Sequence, residues 1–141
     1  TNQNIAGLFT PAERRAAIWA TRSNDTSPER IVRKLVSALG IRYRLQGRTV
    51  PGHPDLVFPG LRKVVFVHGC FWHRHACRKG RSMPASRVKF WQAKFARNTA
   101  RDAEVKRLLR RAGWRALVVW ECQLRPERID RTTERLKTFL E

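Results

Sequence analysis

The residues best suited to chemistry in this chain stand in one short segment, from His68 to Cys77. It contains three histidines, two cysteines and the adjacent aromatic rings of Phe71 and Trp72. The chain has 3 cysteines in all, and the third, Cys122, lies further along. Because thiolates and imidazoles are the ligands that transition metals such as zinc favour, the segment indicates a metal site.

One complete set of four ligands can be drawn from these residues: Cys70, His75, Cys77 and Cys122. Three thiolates and one imidazole match a closed tetrahedral zinc site, which leaves no position for a reacting water. An odd number of cysteines argues against a disulfide framework, and the chain opens with no apolar secretory stretch. Cys70 and Cys122 as ordinary buried cysteines remain the alternative. We favour structural zinc because His75 and Cys77 stand so close by.

Two further histidines of the segment, His68 and His73, have no thiol left to complete a second site of this kind. They are therefore available for proton transfer, for which imidazole is well matched near neutral pH. The alternative for each is a structural hydrogen bond in a tight loop. The segment thus predicts a metal-stabilised loop that presents histidines.

The charge of the chain indicates its partner. The sequence has 30 Lys and Arg against 11 Asp and Glu, a formal net charge of +19 at pH 7. Such an excess favours a polyanion, with nucleic acid ahead of a membrane surface, since no apolar run is long enough to span a bilayer. The 5 tryptophans would suit stacking on bases, although core packing would also explain most of them. We expect a cytoplasmic, nucleoid-associated protein, with a monomer as the default.

The elements that must position these residues begin with two helices and a strand. The 141 residues suffice for one domain. The capping box Thr10-Pro11-Ala12-Glu13 predicts a short helical arm over about 11–20, within a single domain of residues 1–141. Ser27-Pro28-Glu29 predicts a second helix that ends at Gly40. Alternating apolar and polar residues over 41–46 predict a half-buried strand.

The second half of the chain predicts a hairpin followed by a crossover. The runs 55–58 and 64–67, joined by a Pro59-Gly60 turn, predict two antiparallel strands. A basic helix over about 86–112 and a strand over 114–120 predict a right-handed parallel crossover. A last helix is expected from near Pro126. Five apolar residues of the basic helix are expected to face inward: Trp91, Phe95, Val105, Leu108 and Leu109.

This order of elements brings a carboxylate towards the histidines. Asp55 opens one hairpin strand and His68 follows the other, so the two can lie at one end of the sheet. A carboxylate beside imidazoles in a basic cleft suits metal-assisted phosphodiester hydrolysis.

Several motifs together resemble those of the very short patch repair (Vsr) endonucleases, from about Thr21 onward, in the same order and with similar spacing. They are Pro51 to Asp55, His68 to Cys77, Phe90-Trp91, Asn98 with Arg101-Asp102, Gly113-Trp114, and Val119 to Cys122. The resemblance implies an α/β, restriction-endonuclease-like fold, with a central mixed β-sheet flanked by helices and a structural zinc site. It further implies a nick in double-stranded DNA on the 5′ side of the thymine of a T:G mismatch, produced by deamination of 5-methylcytosine, with magnesium as the catalytic metal.

By the same resemblance, Asp55 is the magnesium-binding aspartate. The family uses the backbone carbonyl of a threonine as a further ligand, and Val67 stands at that position with the same carbonyl. Magnesium prefers oxygen ligands, so these two groups with phosphate oxygens and waters would suffice. The second acid and the lysine usual in restriction enzymes are absent.

The resemblance also assigns the proton-transferring groups. His73 is the general acid or base, and His68 supports it, paired with Asp102. Glu29 matches a family glutamate near the active site. Read without the resemblance, Asp102 is a charge on a helix surface, and Glu29 is a helix-start acid that stabilises the dipole.

The expected DNA contacts fall into two groups. Phe71, Trp72 and Trp91 resemble the aromatic wedge that the family inserts beside the mismatch from the major groove, and Trp114 and Trp120 are expected in the core. The other expected contacts are Asn98, the arm arginines Arg14 and Arg15, and Ile18 or Trp19 in place of the family's intercalating methionine.

These features predict a magnesium-dependent endonuclease of mismatched DNA. Two alternatives stay open. One is a related nuclease of a selfish or defence element that cuts unmismatched DNA. The other is a non-catalytic, zinc-stabilised DNA-binding module, which would have no need of Asp55 together with His68 and His73.

Overall fold

The computed structural model describes residues 27–45, 47 and 49–141. The predicted amino-terminal helix over 11–20 lies outside the described residues. So do four expected DNA contacts: Arg14, Arg15, Ile18 and Trp19.

The first described helix, α1, spans Ser27–Ala38 and confirms the helix predicted from its start signal. Val32 and Val36, one turn apart, are fully buried, and Glu29 of the first turn is buried with them. Gly40 follows with φ +77°, a left-handed conformation that glycine adopts without strain, and it ends the helix as expected.

Four strands form one mixed sheet in the order β1-β2-β3-β4. The strands are β1 (Arg44–Leu45), β2 (Leu56–Phe58), β3 (Lys63–His68) and β4 (Arg115–Trp120). β2 pairs with both β1 and β3 in antiparallel fashion, and β3 pairs with β4 in parallel. The predicted hairpin and the predicted parallel pair are both confirmed, and a 3-10 turn over Pro59–Leu61 closes the hairpin.

The first strand is shorter than its alternating pattern predicted. Of its described residues, only Arg44 and Leu45 join the ladder, and both are exposed instead of half-buried. Ile41 and Tyr43 pack against the core from outside the strand. The periodic pattern therefore reflected contact with the core more than strand pairing.

The long basic helix α2 spans Val88–Arg111 and carries the chain from β3 to β4, as predicted. Phe95 and Leu109 are buried in it, whereas Leu108 is 39% exposed, so its expected inward position is wrong. Leu108 and Leu109 are neighbours about 100° apart around a helix, so one of them turns outward. The helix is followed by Gly113, with φ +83°.

A 3-10 helix over Glu121–Leu124 follows β4 and was not predicted. The last helix, α3 (Ile129–Leu140), begins three residues later than expected from Pro126 and buries Leu136. Among the described helices, none combines the length and apolar character needed to cross a lipid bilayer.

Alternation along the strands places hydrophobic side chains on both faces of the sheet. One face, with Leu56 and Val65, packs with Val36 of α1 and Leu136 of α3. The other face, with Val57, Val64 and Phe66, packs with Leu109 of α2. The fold is therefore a mixed sheet between two helical layers, in agreement with the predicted α/β class.

The parallel pair decides where the reactive loop lies. His68 at the end of β3 is in register with Trp120 at the end of β4. Because the carboxyl ends of parallel strands meet at one edge of a sheet, the loop after His68 and the turn after Trp120 begin side by side. Cys70 and Cys122, distant in sequence, start from this shared edge.

Candidate active site and metal centre

Three cysteines and a histidine form a cluster at this edge. The ligand atoms of Cys70, His75, Cys77 and Cys122 all lie within 4.8 Å of one another. The His75 Nδ1 atom lies 3.8 Å from the Cys70 sulfur and 3.5 Å from the Cys122 sulfur. A tetrahedral zinc ion with bonds of about 2.0–2.3 Å has ligand separations of about 3.5–3.8 Å. The four residues fit such an ion, and the cluster can hold a metal such as zinc.

Backbone donors support the sulfur atoms. The Gly80 N–H donates to the Cys77 sulfur, and the Cys122 N–H donates to the Cys70 sulfur, each over 3.4 Å. Burial raises the pKa of the Cys70 thiol to about 12, although the hydrogen bond from the Cys122 N–H lowers it in part. At Cys77, burial also raises the pKa, but the bond from Gly80 and the neighbouring thiols lower it overall. A bound cation would deprotonate both thiols by stabilising the thiolates.

Gly80 allows the loop to close around the histidine ligand. A Cβ atom at this position would lie 1.9 Å from the carbonyl oxygen of His75. That distance is far inside van der Waals contact and involves backbone, which cannot turn aside as a flexible side chain can. Glycine is therefore required where this backbone passes His75.

Trp120 belongs to the metal cluster rather than to the core where it was expected. Its ring stacks on the His75 imidazole, with centroids 4.3 Å apart and planes at 20°. It is half-buried, and it meets the His68 ring edge-on at 5.2 Å. Trp114, by contrast, packs against the core cluster under α2, as expected. Trp120 thus links the two sets of histidines.

His68 and His73 form a stacked pair beside this cluster. Their ring centroids are 3.8 Å apart and their planes differ by 5°. The His73 Nδ1 atom lies 2.6 Å from Oδ2 of Asp102. The expected pairing of Asp102 with His68 is therefore wrong, because the carboxylate bonds to the other histidine. Spacing in the sequence carried no signal for which imidazole α2 would face.

The two histidines differ in their electrostatics. Burial, with the charge of His73, lowers the pKa of His68 to about 4, so this ring is neutral near pH 7. Its buried Nδ1 atom forms no hydrogen bond within the described part of the chain. At Asp102, burial raises the pKa, but the hydrogen bond and charge of His73 outweigh it and lower the pKa overall. Asp102 is thus a carboxylate held for His73.

Asp55 is joined to β3 at the residue that precedes His68. Its Oδ2 atom accepts a 2.6 Å hydrogen bond from the N–H of Val67, the residue before His68. It also shares a hydrogen bond with the carboxyl of Glu29 on α1. Burial, opposed by the Val67 bond and reinforced by the charge of Glu29, raises the pKa of Asp55 to about 7. Two carboxyl groups and the histidine pair therefore share one end of the sheet.

A cluster of aromatic rings lies against the same loop. Phe71 meets Trp72, Trp91 and Phe95 edge-on at 5.4, 5.8 and 5.1 Å. Phe95 is buried, whereas Phe71, Trp72 and Trp91 are half-buried. The exposed Phe90 extends the cluster through an edge contact with Trp91. The three rings expected to form a wedge are therefore brought together.

Asn98, which is expected to contact DNA, also binds the loop within the protein. Its Nδ2 group donates to the carbonyl oxygen of Trp72 over 3.1 Å. One turn further along α2, Asp102 binds His73. The helix therefore holds two consecutive loop residues.

Sequence reasoning missed two residues that support the loop. The Arg74 guanidinium lies over the Phe95 ring at 4.1 Å and donates to the carbonyl of Ser82. The Glu121 carboxylate accepts from the Cys70 N–H at 3.3 Å and pairs with Lys79 at 3.1 Å. The position of Glu121, directly before the predicted metal ligand Cys122, was the one feature of the sequence that could have identified it. Arg74 had none, because one arginine among many basic residues is not distinctive.

The fold and this site define a class: an α/β protein whose carboxyl groups, histidine pair and basic surface suit hydrolysis of a phosphodiester. The family described as DNA mismatch endonuclease Vsr matches residues 6–79, about half of the chain. The chain belongs to this family, and the predicted resemblance is confirmed. Its mixed sheet between helices is the restriction-endonuclease-like fold of that family.

Relatives support the same assignment over most of the chain. The chain is 47% identical over 116 residues to the type II nicking enzyme V.XorIIP of Xanthomonas oryzae, covering 82% of this chain and 85% of the relative. It is 37% identical over 139 residues to the DNA mismatch endonuclease Vsr of Escherichia coli, covering 96% and 88%. It is 38% identical over 136 residues to the type II nicking enzyme V.NmeAIP of Neisseria meningitidis, covering 96% and 95%.

Proposed function

We propose that this protein nicks double-stranded DNA on the 5′ side of the thymine in a T:G mismatch, by magnesium-dependent hydrolysis of the phosphodiester. The observation that carries the proposal is the Asp55–Val67 hydrogen bond, which joins a carboxylate to the end of the strand that leads into the paired imidazoles of His68 and His73. Membership in the mismatch endonuclease family and similarity to a type II nicking enzyme and to a DNA mismatch endonuclease support the same proposal.

The magnesium site would be formed by Asp55 and the Val67 carbonyl, with Glu29 beside them. These are hard oxygen groups, which suit magnesium, and the remaining positions can be filled by water and phosphate oxygens. The pKa of Asp55 is raised because its negative charge is buried, and this fits a carboxylate that binds a cation. When bound, magnesium would supply charge neutralisation at the reacting phosphate.

His73 is proposed as the general acid or base. Its bond to Asp102 occupies Nδ1 and leaves Nε2 to exchange a proton with the attacking water or the leaving oxygen. Asp102 fixes the tautomer and orientation of the ring, as a carboxylate does in other catalytic pairs. The stacked, neutral ring of His68 covers one face of His73 and limits its rotation. His68 therefore acts as a positioning residue in this proposal.

Phe71, Trp72 and Trp91 are proposed to enter the duplex beside the mismatch. A mismatched step is less costly to unstack than a paired one, and large rings restore the stacking that is lost. Lys94 lies 5.2 Å above the Trp72 ring and brings a positive charge to the same surface for the phosphate backbone.

Zinc is proposed as the structural metal of the Cys70, His75, Cys77 and Cys122 cluster. With all four positions taken by protein ligands, the ion would leave none for a reacting water. It would join the loop after β3 to the turn after β4, and so hold His73 and the aromatic rings in place.

The decisive experiment is a nicking assay on a labelled duplex that carries either T:G or C:G at one position, with and without magnesium. The wild type should nick the T:G strand only when magnesium is present. Asp55→Asn should reduce the rate by about 10²-fold or more, since it removes a carboxylate from the metal site. Asp130→Asn, which changes an exposed carboxylate on α3, serves as the matched control and should nick normally.

Each contrary outcome points to a particular alternative. Equal nicking of the C:G duplex would exclude mismatch specificity and favour a nuclease of unmismatched DNA. Full activity of Asp55→Asn would exclude the magnesium site. Tight DNA binding without any nicking would favour a zinc-stabilised binding module.

A further inference from the structure

An arginine-lined cavity lies away from the histidine pair. It has a volume of about 240 Å³ and is lined by Gln123, Arg128, Arg131, Thr132 and Arg135. Three of these five residues are arginines and none is acidic. Within the part of the chain that the structure describes, the side chains of Arg128 and Arg131 form no hydrogen bond and no ion pair. We call this feature the arginine cavity.

The walls of the arginine cavity are held by hydrogen bonds. The buried Thr132 donates its hydroxyl to the Gln123 carbonyl over 2.6 Å. Arg135 donates to the Gln123 side-chain oxygen over 3.1 Å, and the same oxygen accepts from the Trp120 N–H over 3.0 Å. Helical spacing places Arg131 and Arg135 one turn apart on the same side of α3. These bonds hold Gln123, Thr132 and Arg135 in place, whereas Arg128 and Arg131 are exposed and complete the cavity without such bonds among the described residues.

The position of the cavity relates it to the catalytic edge of the sheet. Gln123 directly follows Cys122 in the turn after β4, the strand whose end is in register with His68. The arginine cavity thus lies beyond the metal cluster, at the same end of the sheet as the histidine pair.

We propose that the arginine cavity binds a phosphate group of the DNA backbone, outside the segment that the histidines and aromatic rings contact. Guanidinium groups match phosphate oxygens in planar, two-pronged hydrogen bonds. Three like charges facing one cavity repel each other, and a phosphate removes that repulsion. The inference relies on the proposed function only in that the ligand is duplex DNA.

The first test is DNA affinity as a function of salt concentration. The variant is Arg128→Gln/Arg131→Gln, which keeps Arg135 and its bond to Gln123. Arg110→Gln/Arg111→Gln is the matched control, because it removes two exposed arginines at the end of α2, which leads into the opposite edge of the sheet. Fluorescence anisotropy on a matched C:G duplex without magnesium keeps the result independent of nicking and of mismatch specificity.

For one lost phosphate contact, the negative slope of log affinity against log salt should become shallower by about 1. Kd near 0.1 M salt should rise roughly fivefold to tenfold. The control should leave the slope unchanged. If the slope of Arg128→Gln/Arg131→Gln equals that of the wild type, the proposal is overturned. If the double variant has a lower Tm than the wild type, the single variant Arg131→Gln replaces it in the same affinity measurement.

A second measurement locates the phosphate. Single methylphosphonate substitutions remove the charge of one backbone phosphate at a time. One position should weaken binding of the wild type and leave Arg128→Gln/Arg131→Gln unaffected, since that variant has already lost the contact. If every methylphosphonate weakens DNA binding of the wild type and of the double variant by the same factor, the assignment is refuted.

Free phosphate is the competing ligand of the same chemistry. Millimolar inorganic phosphate could stabilise the wild type but not the double variant, while both proteins show the same salt slope for DNA binding. That result would assign the cavity to free phosphate and overturn the DNA contact. Loss of binding to an acidic peptide with equal DNA slopes would overturn it in the same way.

Discussion

The Nδ1 atom of His73 and the Oδ2 atom of Asp102 lie 2.6 Å apart, although a long loop and about four turns of α2 separate the two residues in the chain. One turn earlier on the same helix, Asn98 holds the carbonyl of Trp72. A single helix face therefore orients both a proton-transferring imidazole and a ring of the aromatic cluster. A shift of α2 would therefore disturb both the proton-transferring imidazole and the aromatic cluster.

Asp102→Asn should slow nicking without weakening DNA binding. An amide cannot fix the tautomer or stabilise the protonated form of His73, so we expect the rate of nicking to fall by about 10²-fold or more. Kd for the T:G duplex should stay within about twofold. Single-turnover kinetics at saturating enzyme separate the two effects. Glu104→Gln, an exposed carboxylate on α2, is the control, and comparable rates for both variants would contradict a role for the pair.

Asp55 should make stability depend on pH. Its pKa rises from 3.8 to about 7 in the folded protein, so the folded state retains a proton that the unfolded chain has released. The contribution of Asp55 to the unfolding free energy should therefore fall as pH rises from about 4 to 7, and then level off, whereas the lowered pKa of His68 acts in the opposite direction in both proteins. Asp55→Asn lacks this dependence, and its advantage over the wild type should grow by about 2–4 kcal/mol across that window.

The measurement for Asp55 is urea unfolding of both proteins in magnesium-free buffer, from pH 4 to pH 8. Added magnesium at pH 8 should stabilise the wild type and leave Asp55→Asn unchanged, because only the wild type offers the carboxylate. Asp130→Asn controls for the loss of one charge. A stability difference that does not vary with pH would count against the buried carboxyl pair.

Removal of one cysteine should uncouple the loop from the sheet. We expect about one equivalent of zinc per wild-type chain by metal analysis, and none in Cys122→Ala. The unfolding free energy of Cys122→Ala should fall by about 3 kcal/mol or more, because the binding energy of a structural metal is folding energy. A strong chelator should lower Tm of the wild type but leave that of Cys122→Ala unchanged. Equal chelator sensitivity would argue for an ordinary buried cysteine.

Two glycine substitutions test the packing of the loop. Gly80→Ala would bring a Cβ atom to within 1.9 Å of the His75 carbonyl, whereas a Cβ atom at Gly60 would meet nothing within 4 Å. Gly80→Ala should lower the unfolding free energy by about 3 kcal/mol or more and reduce the metal content. Gly60→Ala should unfold within about 0.5 kcal/mol of the wild type. Similar urea midpoints for the two variants would show that the loop backbone lies elsewhere.

Trp72→Ala should reduce discrimination between mismatched and matched DNA. Stacking of one base on an aromatic ring contributes about 1–3 kcal/mol, so the ratio of Kd values for C:G and T:G duplexes should fall by about tenfold. Anisotropy titrations with both duplexes measure the ratio. Trp114→Phe, in the core under α2, should leave it unchanged. An unaltered ratio in Trp72→Ala would remove that ring from the wedge.

Much of the fold could be predicted from local patterns. The start signal and apolar spacing of α1, the hairpin turn at Pro59, and the apolar run of β4 each depend on residues close in sequence. The same holds for Cys70, His75 and Cys77, whose spacing already indicated a metal site. The two-residue β1 was overestimated because contact with a core and pairing in a sheet produce the same alternation.

The composition, motifs and spacing of the sequence by themselves determined the helices, the paired strands, the family resemblance and the four candidate metal ligands. Only the tertiary structure decided that Asp102 serves His73, that Trp120 stacks on His75, that Asn98 binds the Trp72 carbonyl and that three arginines of the α3 region line one cavity. Such contacts join residues from separate elements, and their geometry depends on how helices pack on the sheet and how the strands are registered. Local periodicity predicts which face of an element is buried, but it does not specify which side chain of another element that face will meet.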